Sequence, residues 1–193
     1  MPAGKRLTAE DWARAALAAL TEGGLAAVAV EPLAARLGAT KGSFYWHFAH
    51  RDALVDAALA LWEREHTDAV IAGLDLLPDP RERLRRLAAA TLGHPGPGDP
   101  AVSLFRDVDD PRVRRVLAAV ARRRVAYVRA LLVDTGVPAG EAARRAGLAY
   151  AAYVGWWQVR AVAPELASAT GPDDGSVRLM AEILLPGGLM PEP

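Results

Sequence analysis

The part of the sequence that decides the fold is LAARLGATKGSFYWHF, which occupies residues 33–48. Its first half has the apolar spacing of a short helix and ends at Gly38, a residue type that commonly terminates helices. Thr40 can then cap a further helix, which we predict from Lys41 to Phe48. A helix, a tight glycine turn and a second helix form the arrangement that lays its second helix in the major groove of DNA. The stretch therefore predicts a helix-turn-helix.

The second helix of this motif is predicted to have an inner and an outer face. Phe44 and Phe48 are four residues apart, so both are expected to point into the core. Their expected neighbours there are Leu20, Leu33 and Leu37. The positions that remain for the outer face are Lys41, Gly42, Ser43, Tyr45, Trp46 and His47.

The charge pattern supports an outer face that meets DNA. The whole chain has 23 basic and 23 acidic side chains, so any attraction to nucleic acid must come from local clustering. From Arg36 to Arg51 the sequence has three basic residues, two histidines and no acid. The Thr40 and Ser43 hydroxyls and the Tyr45 phenol suit phosphate oxygens. This segment is therefore the expected nucleic-acid interface.

Lys41 and Gly42 have more specific expected roles in the same segment. The Lys41 ammonium can reach guanine O6 and N7, or a phosphate, and Gly42 would let the backbone approach the groove closely. The competing interpretation places Tyr45, Trp46 and His47 in the core or the subunit interface of an ordinary helical bundle. Residues 44–48 are five consecutive aromatic or imidazole residues, and one helix cannot bury all of them. That crowding favours the DNA interpretation.

The remaining sequence predicts an all-α protein, because helical spacing recurs and alternating strand patterns are nearly missing. A first helix should begin after Thr8, which can form a capping box with Asp11, and end at Gly23-Gly24. A second helix should follow over 31–37, and a fourth should have Asp52 in its first turn. Longer helices separated by proline and glycine are predicted further on, at 81–92, 102–107, 111–135, 140–162 and 176–185, with a loop at 94–100.

The run LGATKGSFYWHF, followed by Arg51-Asp52-Ala53-Leu54, resembles the signature of the TetR family of bacterial regulators. The resemblance covers residues 8–62; beyond it the chain matches in helical layout and length. It implies that Lys41, Gly42, Ser43, Tyr45, Trp46 and His47 face the operator. It also implies that Arg51 contacts a phosphate at the start of the fourth helix.

The sequence departs from the family pattern at several positions. Ala29 stands where the family usually has a Ser or Thr cap, and Glu31 stands where it often has a basic or neutral residue facing DNA. Such an acid would weaken nonspecific binding or accept a hydrogen bond from a cytosine amino group. Ala49 and His50 also replace residues that are commonly Lys or Asn. Over residues 1–55 six basic residues oppose five acidic ones, so we expect modest, salt-sensitive affinity.

The resemblance also implies a division into a three-helix DNA-binding head, residues 1–55, and a larger helical domain for effector binding and dimerisation, residues 56–193. Two late helices, at 111–135 and 140–162, carry apolar residues on more than one face, which independently favours a homodimer. Their two-fold pairing would suit a palindromic operator. Candidates for lining an effector pocket are Trp62, His66, Phe105, Tyr127, Tyr150, Tyr153, Trp156 and Trp157, although most could be ordinary core or interface aromatics.

The predicted function is a repressor that binds DNA as a dimer and is released by a small apolar effector. Because Asn is absent and Gln158 is the single Gln, polar recognition of an effector would be sparse. The alternatives are an architectural DNA-binding protein without effector and a helical enzyme, although no catalytic motif is present. No cofactor is expected, and His47, His50 and His66 do not form a convincing metal site. The lack of cysteine, of a signal peptide and of a membrane-spanning stretch favours a cytoplasmic protein.

Overall fold

The computed structural model describes residues 7–92, 100–163 and 165, and within these ranges every regular element is helical. The all-α fold class is confirmed. The α-helices are α1 Ala9–Gly23, α2 Val30–Arg36, α3 Lys41–Tyr45, α4 Arg51–Glu63, α5 Ala69–Asp75, α6 Pro80–Leu92, α7 Ala101–Leu104, α8 Pro111–Asp134 and α9 Ala139–Val162. The helix predicted at 176–185 and most of the loop predicted at 94–100 lie outside the described residues.

Helix α1 begins and ends as the sequence predicts. The Thr8 hydroxyl accepts a hydrogen bond from the backbone N–H of Asp11, and the Asp11 carboxylate accepts one from the backbone N–H of Thr8, which completes the capping box. At the other end Gly24 has a φ of +69°, a conformation that favours glycine. A 3₁₀ turn, Leu25–Ala27, then leads towards α2.

Helices α2 and α3 form the predicted pair around Gly38, whose φ of +62° makes the turn between them. Ala29 is the N-cap of α2 and provides no side-chain hydrogen bond, because alanine has no polar side-chain atom. Helix α3 is shorter than the predicted span of 41–48, since it ends at Tyr45. Farther along, His50 has an extended conformation and serves as the N-cap of α4.

Helix α4 continues into a π-helical turn, Arg64–Asp68, before α5 begins, a feature that the sequence analysis does not predict. The long helices α6, α8 and α9 lie within one or two residues of their predicted bounds. The segment predicted at 102–107 forms α7 followed by a 3₁₀ turn, Phe105–Asp107.

The chain divides into two compact units. Unit 1 has the bounds Met1–Thr67 and Ser103–Ala118, and unit 2 has the bounds Asp68–Val102 and Ala119–Pro193. The largest fully buried side chains of unit 1 include Trp12, Leu20, Phe44, Leu54 and Trp62. One core cluster of unit 2 is aliphatic and consists of Leu84, Leu131, Leu132, Val137, Ala142 and Ala146.

Among the described residues, no helix combines the length and the apolar character that crossing a membrane requires.

Candidate nucleic-acid interface

Helix α3 is held in unit 1 by two phenylalanines. Phe44 is fully buried, and its ring meets the Trp12 ring of α1 edge-on, with centroids 5.5 Å apart. Phe48 follows after α3, is 8% exposed, and stacks on Phe44 at 5.7 Å. Leu20 and Leu33 are also buried, and Leu37 is half-buried. The predicted inner face is therefore confirmed, with only Leu37 less enclosed than expected.

The other side of α3 is open to solvent. Tyr45 and Trp46 are 56% and 85% exposed, Lys41 and Gly42 are exposed, and Ser43 and His47 are half-buried. A single short element thus presents an ammonium, a phenol and an indole ring on one surface. These are the groups that the sequence predicts for the outer face, and their contact with DNA stays a prediction.

Thr40 and Gly42 differ in how far the fold itself requires them. The Thr40 hydroxyl caps α3 by accepting a hydrogen bond from the backbone N–H of Ser43 at 3.2 Å. At Gly42 an added Cβ would meet only Thr40 Oγ1, at an ordinary contact distance of 3.7 Å. Thr40 therefore has a structural role, whereas nothing in the described fold demands glycine at position 42.

An ion pair joins the first turns of α2 and α3 on this open surface. Lys41 Nζ lies 2.9 Å from Glu31 Oε1. The hydrogen bond from Lys41 lowers the pKa of the Glu31 carboxyl, and the same contact raises the pKa of Lys41, so both groups are charged at neutral pH. The sequence singles out Glu31 as an unusual acid but does not predict that it contacts Lys41.

The Arg51 side chain has partners within the protein. Its Nε donates to the carbonyl of Val28 at 2.6 Å, and a terminal nitrogen donates to the carbonyl of Leu25. These bonds tie the start of α4 to the connection between α1 and α2. The predicted phosphate contact remains a prediction, but Arg51 has a structural role that the sequence does not reveal. The neighbouring His50 also has one, because its Nδ1 accepts from the backbone N–H of Ala53.

Asp107 supports the same connection from another part of unit 1. Its Oδ2 accepts a hydrogen bond from the backbone N–H of Leu25 at 2.8 Å. The same carboxylate occupies the space beside Gly24, where an added Cβ would lie 2.6 Å from Oδ2. The connection between α1 and α2 is thus held by Asp107 and by Arg51 together.

A second contact links α4 to the start of α8. Arg112 lies 2.7 Å from Asp52 and 3.0 Å from Asp110. Its hydrogen bonds hold the pKa of Asp110 at about 2 and keep the pKa of Asp52 below its usual value. Sequence patterns do not reveal the Asp52–Arg112 pair, because its members lie 60 residues apart.

Comparison with known sequences identifies this helical domain. Residues 13–58 match a family profile described as "Bacterial regulatory proteins, tetR family". Over these residues the chain is similar to TetR-family transcriptional regulators. The matched segment contains α2 and α3 with the outer face described above. The family that this profile describes acts by binding DNA and not by catalysis.

Solved structures share the fold of this chain along most of its length. Escherichia coli NemR, in its reduced form, has a TM-score of 0.76 at 19% identity, with 91% of this chain and 96% of that chain covered. SmeT, the repressor of the Stenotrophomonas maltophilia multidrug efflux pump SmeDEF, has a TM-score of 0.70 at 20% identity in its complex with triclosan, with coverages of 96% and 97%. A regulator from Saccharomonospora viridis in complex with choline has a TM-score of 0.67 at 21% identity, with coverages of 91% and 92%. No curated protein sequence matches the chain significantly.

The residues predicted to line an effector pocket lie in both units. In unit 1 Trp62 is fully buried, Phe105 is half-buried and His66 is exposed. The others belong to unit 2 and are Tyr127, Tyr150, Tyr153, Trp156 and Trp157. The structure therefore does not gather all the candidates within one unit.

Three of the unit 2 candidates share a side of α9. The rings of Tyr150 and Tyr153 have centroids 6.2 Å apart, and Trp157, one turn beyond Tyr153, is buried. The Arg124 guanidinium of α8 lies 6.0 Å from the centroid of the Tyr153 ring. These residues form an aromatic row with a cation beside it.

Tyr127 belongs to a different environment in unit 2. Its ring packs against the aliphatic cluster that contains Leu131, and its hydroxyl donates to Asp75 Oδ1 at 2.9 Å. Burial, together with this hydrogen bond to a carboxylate, raises the pKa of Tyr127 to about 12. A role in structure accounts for Tyr127 without any ligand. In the described ranges no three His, Cys, Asp or Glu residues are grouped so that they could hold a metal ion.

Proposed function

We propose that this regulator is a repressor that binds a palindromic operator as a homodimer and releases it when a small apolar molecule binds. The observation that carries the proposal is the outer face of α3. A buried phenylalanine fixes that helix from inside while its aromatic, hydroxyl and ammonium groups remain in solvent. The proposed DNA-contacting residues are Thr40, Lys41, Gly42, Ser43, Tyr45, Trp46, His47 and Arg51.

The proposed dimer uses the late helices. On α9 an exposed aliphatic face includes Leu148, Val159 and Val162, which are 71%, 40% and 82% exposed. Ala152 lies on the same face, so a row of about four turns lacks polar side chains. Such a surface is best covered by a second copy of the same helix about a two-fold axis. The dimer would present two recognition helices to half-sites roughly 34–36 Å apart.

The proposed effector is small and apolar or aromatic. The fold relatives include complexes with triclosan and with choline, and the aromatic row of α9 with Arg124 offers both ring faces and a cation. We assign effector binding and dimerisation to residues 56–193 and DNA binding to residues 1–55, with the protein in the cytoplasm beside its operator. The remaining candidates for contacting the effector are Trp62, His66, Phe105, Tyr127 and Trp156.

Effector binding must move the DNA-binding part to release the operator. Two contacts within unit 1 would transmit such a movement. Asp107 and Arg112 belong to the segment 103–118, and they bond to Leu25 and Asp52 respectively. Helix α8 begins in this segment and continues into unit 2 without a break. A shift of α8 would therefore act directly on the connection between α1 and α2 and on the start of α4.

The test is a gel-shift titration with DNA from the region upstream of the protein's own gene. We expect a complex of two chains per palindrome whose affinity falls steeply with added salt, because phosphate contacts release counterions. A set of apolar and aromatic molecules that includes triclosan, tested together with the cation choline, should contain one that raises the melting temperature and dissociates the complex. DNA binding without any such response would support the architectural alternative, and no binding to upstream DNA would contradict the proposal.

A further inference from the structure

The Glu31–Lys41 ion pair is exposed to solvent on the surface that is proposed to bind DNA. Both side chains are largely in solvent, 73% and 56% exposed, and they meet at 2.9 Å on the outer face of the helix pair α2–α3. An exposed ion pair contributes little to folding, because water screens the two charges and both side chains lose conformational freedom. An acid on a surface that meets phosphates also weakens DNA binding by repulsion. The pair therefore calls for a role on DNA that outweighs this cost.

The geometry of the pair matches one base pair. Lys41 offers only donors and Glu31 only acceptors, and their heads lie side by side at hydrogen-bond distance. In the major groove a G·C pair presents guanine N7 and O6 as adjacent acceptors, with the cytosine amino group as a donor beside them. An A·T pair has single acceptors, adenine N7 and thymine O4, on either side of its amino group, so the ammonium beside the carboxylate meets one acceptor there and two adjacent acceptors at G·C.

We propose that Lys41 and Glu31 act as one specificity-determining pair that recognises a G·C base pair in each operator half-site. Lys41 Nζ donates to guanine O6 or N7, and the Glu31 carboxylate accepts from the cytosine amino group. Their mutual contact is kept, so neither side chain needs to reorganise on binding. This inference rests on the proposed operator binding. It specifies, in addition, which base pair Lys41 and Glu31 select in each half-site.

The same pair suppresses binding to other sequences. While Lys41 is neutralised by Glu31, it contributes little to the attraction that holds a protein on arbitrary DNA. Without the acid, the ammonium becomes available to a phosphate. Discrimination therefore comes both from a favourable contact at G·C and from a penalty elsewhere.

A matched control exists on the same unit. Glu22 is exposed, forms an ion pair with Arg36 at 2.8 Å, and its removal changes the net charge by the same amount as removal of Glu31. Arg36 lies at the end of α2 instead of on α3. Glu22→Ala therefore measures the effect of removing one negative charge. Glu31→Ala removes the same charge and also the contact with Lys41.

The experiment selects DNA from a pool of randomised duplexes with the wild-type protein, Glu31→Ala and Glu22→Ala, followed by sequencing. We expect a palindromic consensus with a G·C pair in each half-site, at which Glu31→Ala loses preference by about tenfold while its other positions persist. Glu22→Ala should keep the wild-type consensus. On a fixed duplex of unrelated sequence, Glu31→Ala should bind several-fold more tightly, with a salt slope steeper by about one per subunit.

The outcomes separate this inference from the proposed function. If the wild type selects a palindrome but Glu31→Ala and Glu22→Ala give the same consensus as the wild type, the inference is overturned and operator binding stands. A consensus without G·C opposite this pair also overturns it. If the wild type selects no sequence, operator binding itself fails. Glu31→Gln, which keeps the side-chain volume, and thermal melting of each variant exclude misfolding as the cause.

Discussion

Two surfaces of this chain leave large apolar side chains in water, and they differ in what surrounds those side chains. On α3 the exposed Tyr45 and Trp46 are aromatic and stand near Lys41, whose ammonium is paired with an acid. On α9 the exposed Leu148 and Val162 are aliphatic, and the face between them consists of small residues.

The difference indicates which kind of partner each surface suits. Aromatic rings among hydrogen-bonding groups can contact sugars, base edges and phosphates, which carry both polar and apolar parts. An aliphatic row without donors or acceptors gains only from excluding water, so it suits an equally apolar protein surface. Exposed area by itself would not distinguish the two, since Trp46 and Val162 are exposed to nearly the same extent, 85% and 82%.

The largest expected effect concerns the α9 surface. Leu148→Glu places a charge within the proposed two-fold contact, so we expect monomers in light scattering at micromolar concentration. Operator affinity should then fall by at least about 100-fold, because a single head loses the benefit of two linked contacts. The control is Leu76→Glu, at a leucine that is 84% exposed but lies outside α9. A dimer that persists in Leu148→Glu would rule out this surface as the interface.

A smaller effect is expected on the α3 surface. Trp46→Ala removes a side chain that is 85% exposed, so melting temperature and oligomeric state should remain as in the wild type. Operator affinity should fall by about tenfold, which corresponds to about 1.4 kcal/mol, through lost apolar contact with DNA. Gel shifts and light scattering on the same samples measure both properties. Loss of the dimer in this variant, or unchanged DNA binding, would contradict the assignment of the α3 surface to DNA and of the α9 surface to the second chain.

The last prediction concerns folding stability and compares one glycine from each unit. Gly24, in unit 1, and Gly136, between α8 and α9, both have positive φ, at +69° and +95°. At Gly136 an added Cβ would meet nothing within 4 Å, so Gly136→Ala should cost only backbone strain, about 1 kcal/mol. Gly24→Ala should cost roughly 2–3 kcal/mol, because Asp107 must also move and release the backbone N–H of Leu25.

Urea unfolding followed by circular dichroism measures these two costs. The cost of Gly24→Ala measured in an Asp107→Ala background tests the cause. Without the carboxylate, only the backbone strain of about 1 kcal/mol should remain at position 24. Equal costs for Gly24→Ala and Gly136→Ala would show that Asp107 does not restrict this position.

Much of the fold could be predicted because helix periodicity and caps are local properties. The Thr8 capping box, Gly24 and Gly38 follow from residue types and spacing, and so does the burial of Phe44. The predicted length of α3 was wrong by three residues. Nothing in the periodicity of 41–48 indicates that α3 ends at Tyr45 or that His50 caps the next helix through its side chain.

The sequence by itself determined the all-α class, the helix-turn-helix and the side of α3 that faces outward, because each depends on residues within a few positions of one another. Only the tertiary structure decided that Glu31 holds Lys41, that Arg51 and Asp107 hold the connection after α1, and that the aromatic candidates divide between two units. These contacts join residues 10 to 82 positions apart. Their geometry is set by how helices pack, and helix packing is not encoded in any single stretch of the chain.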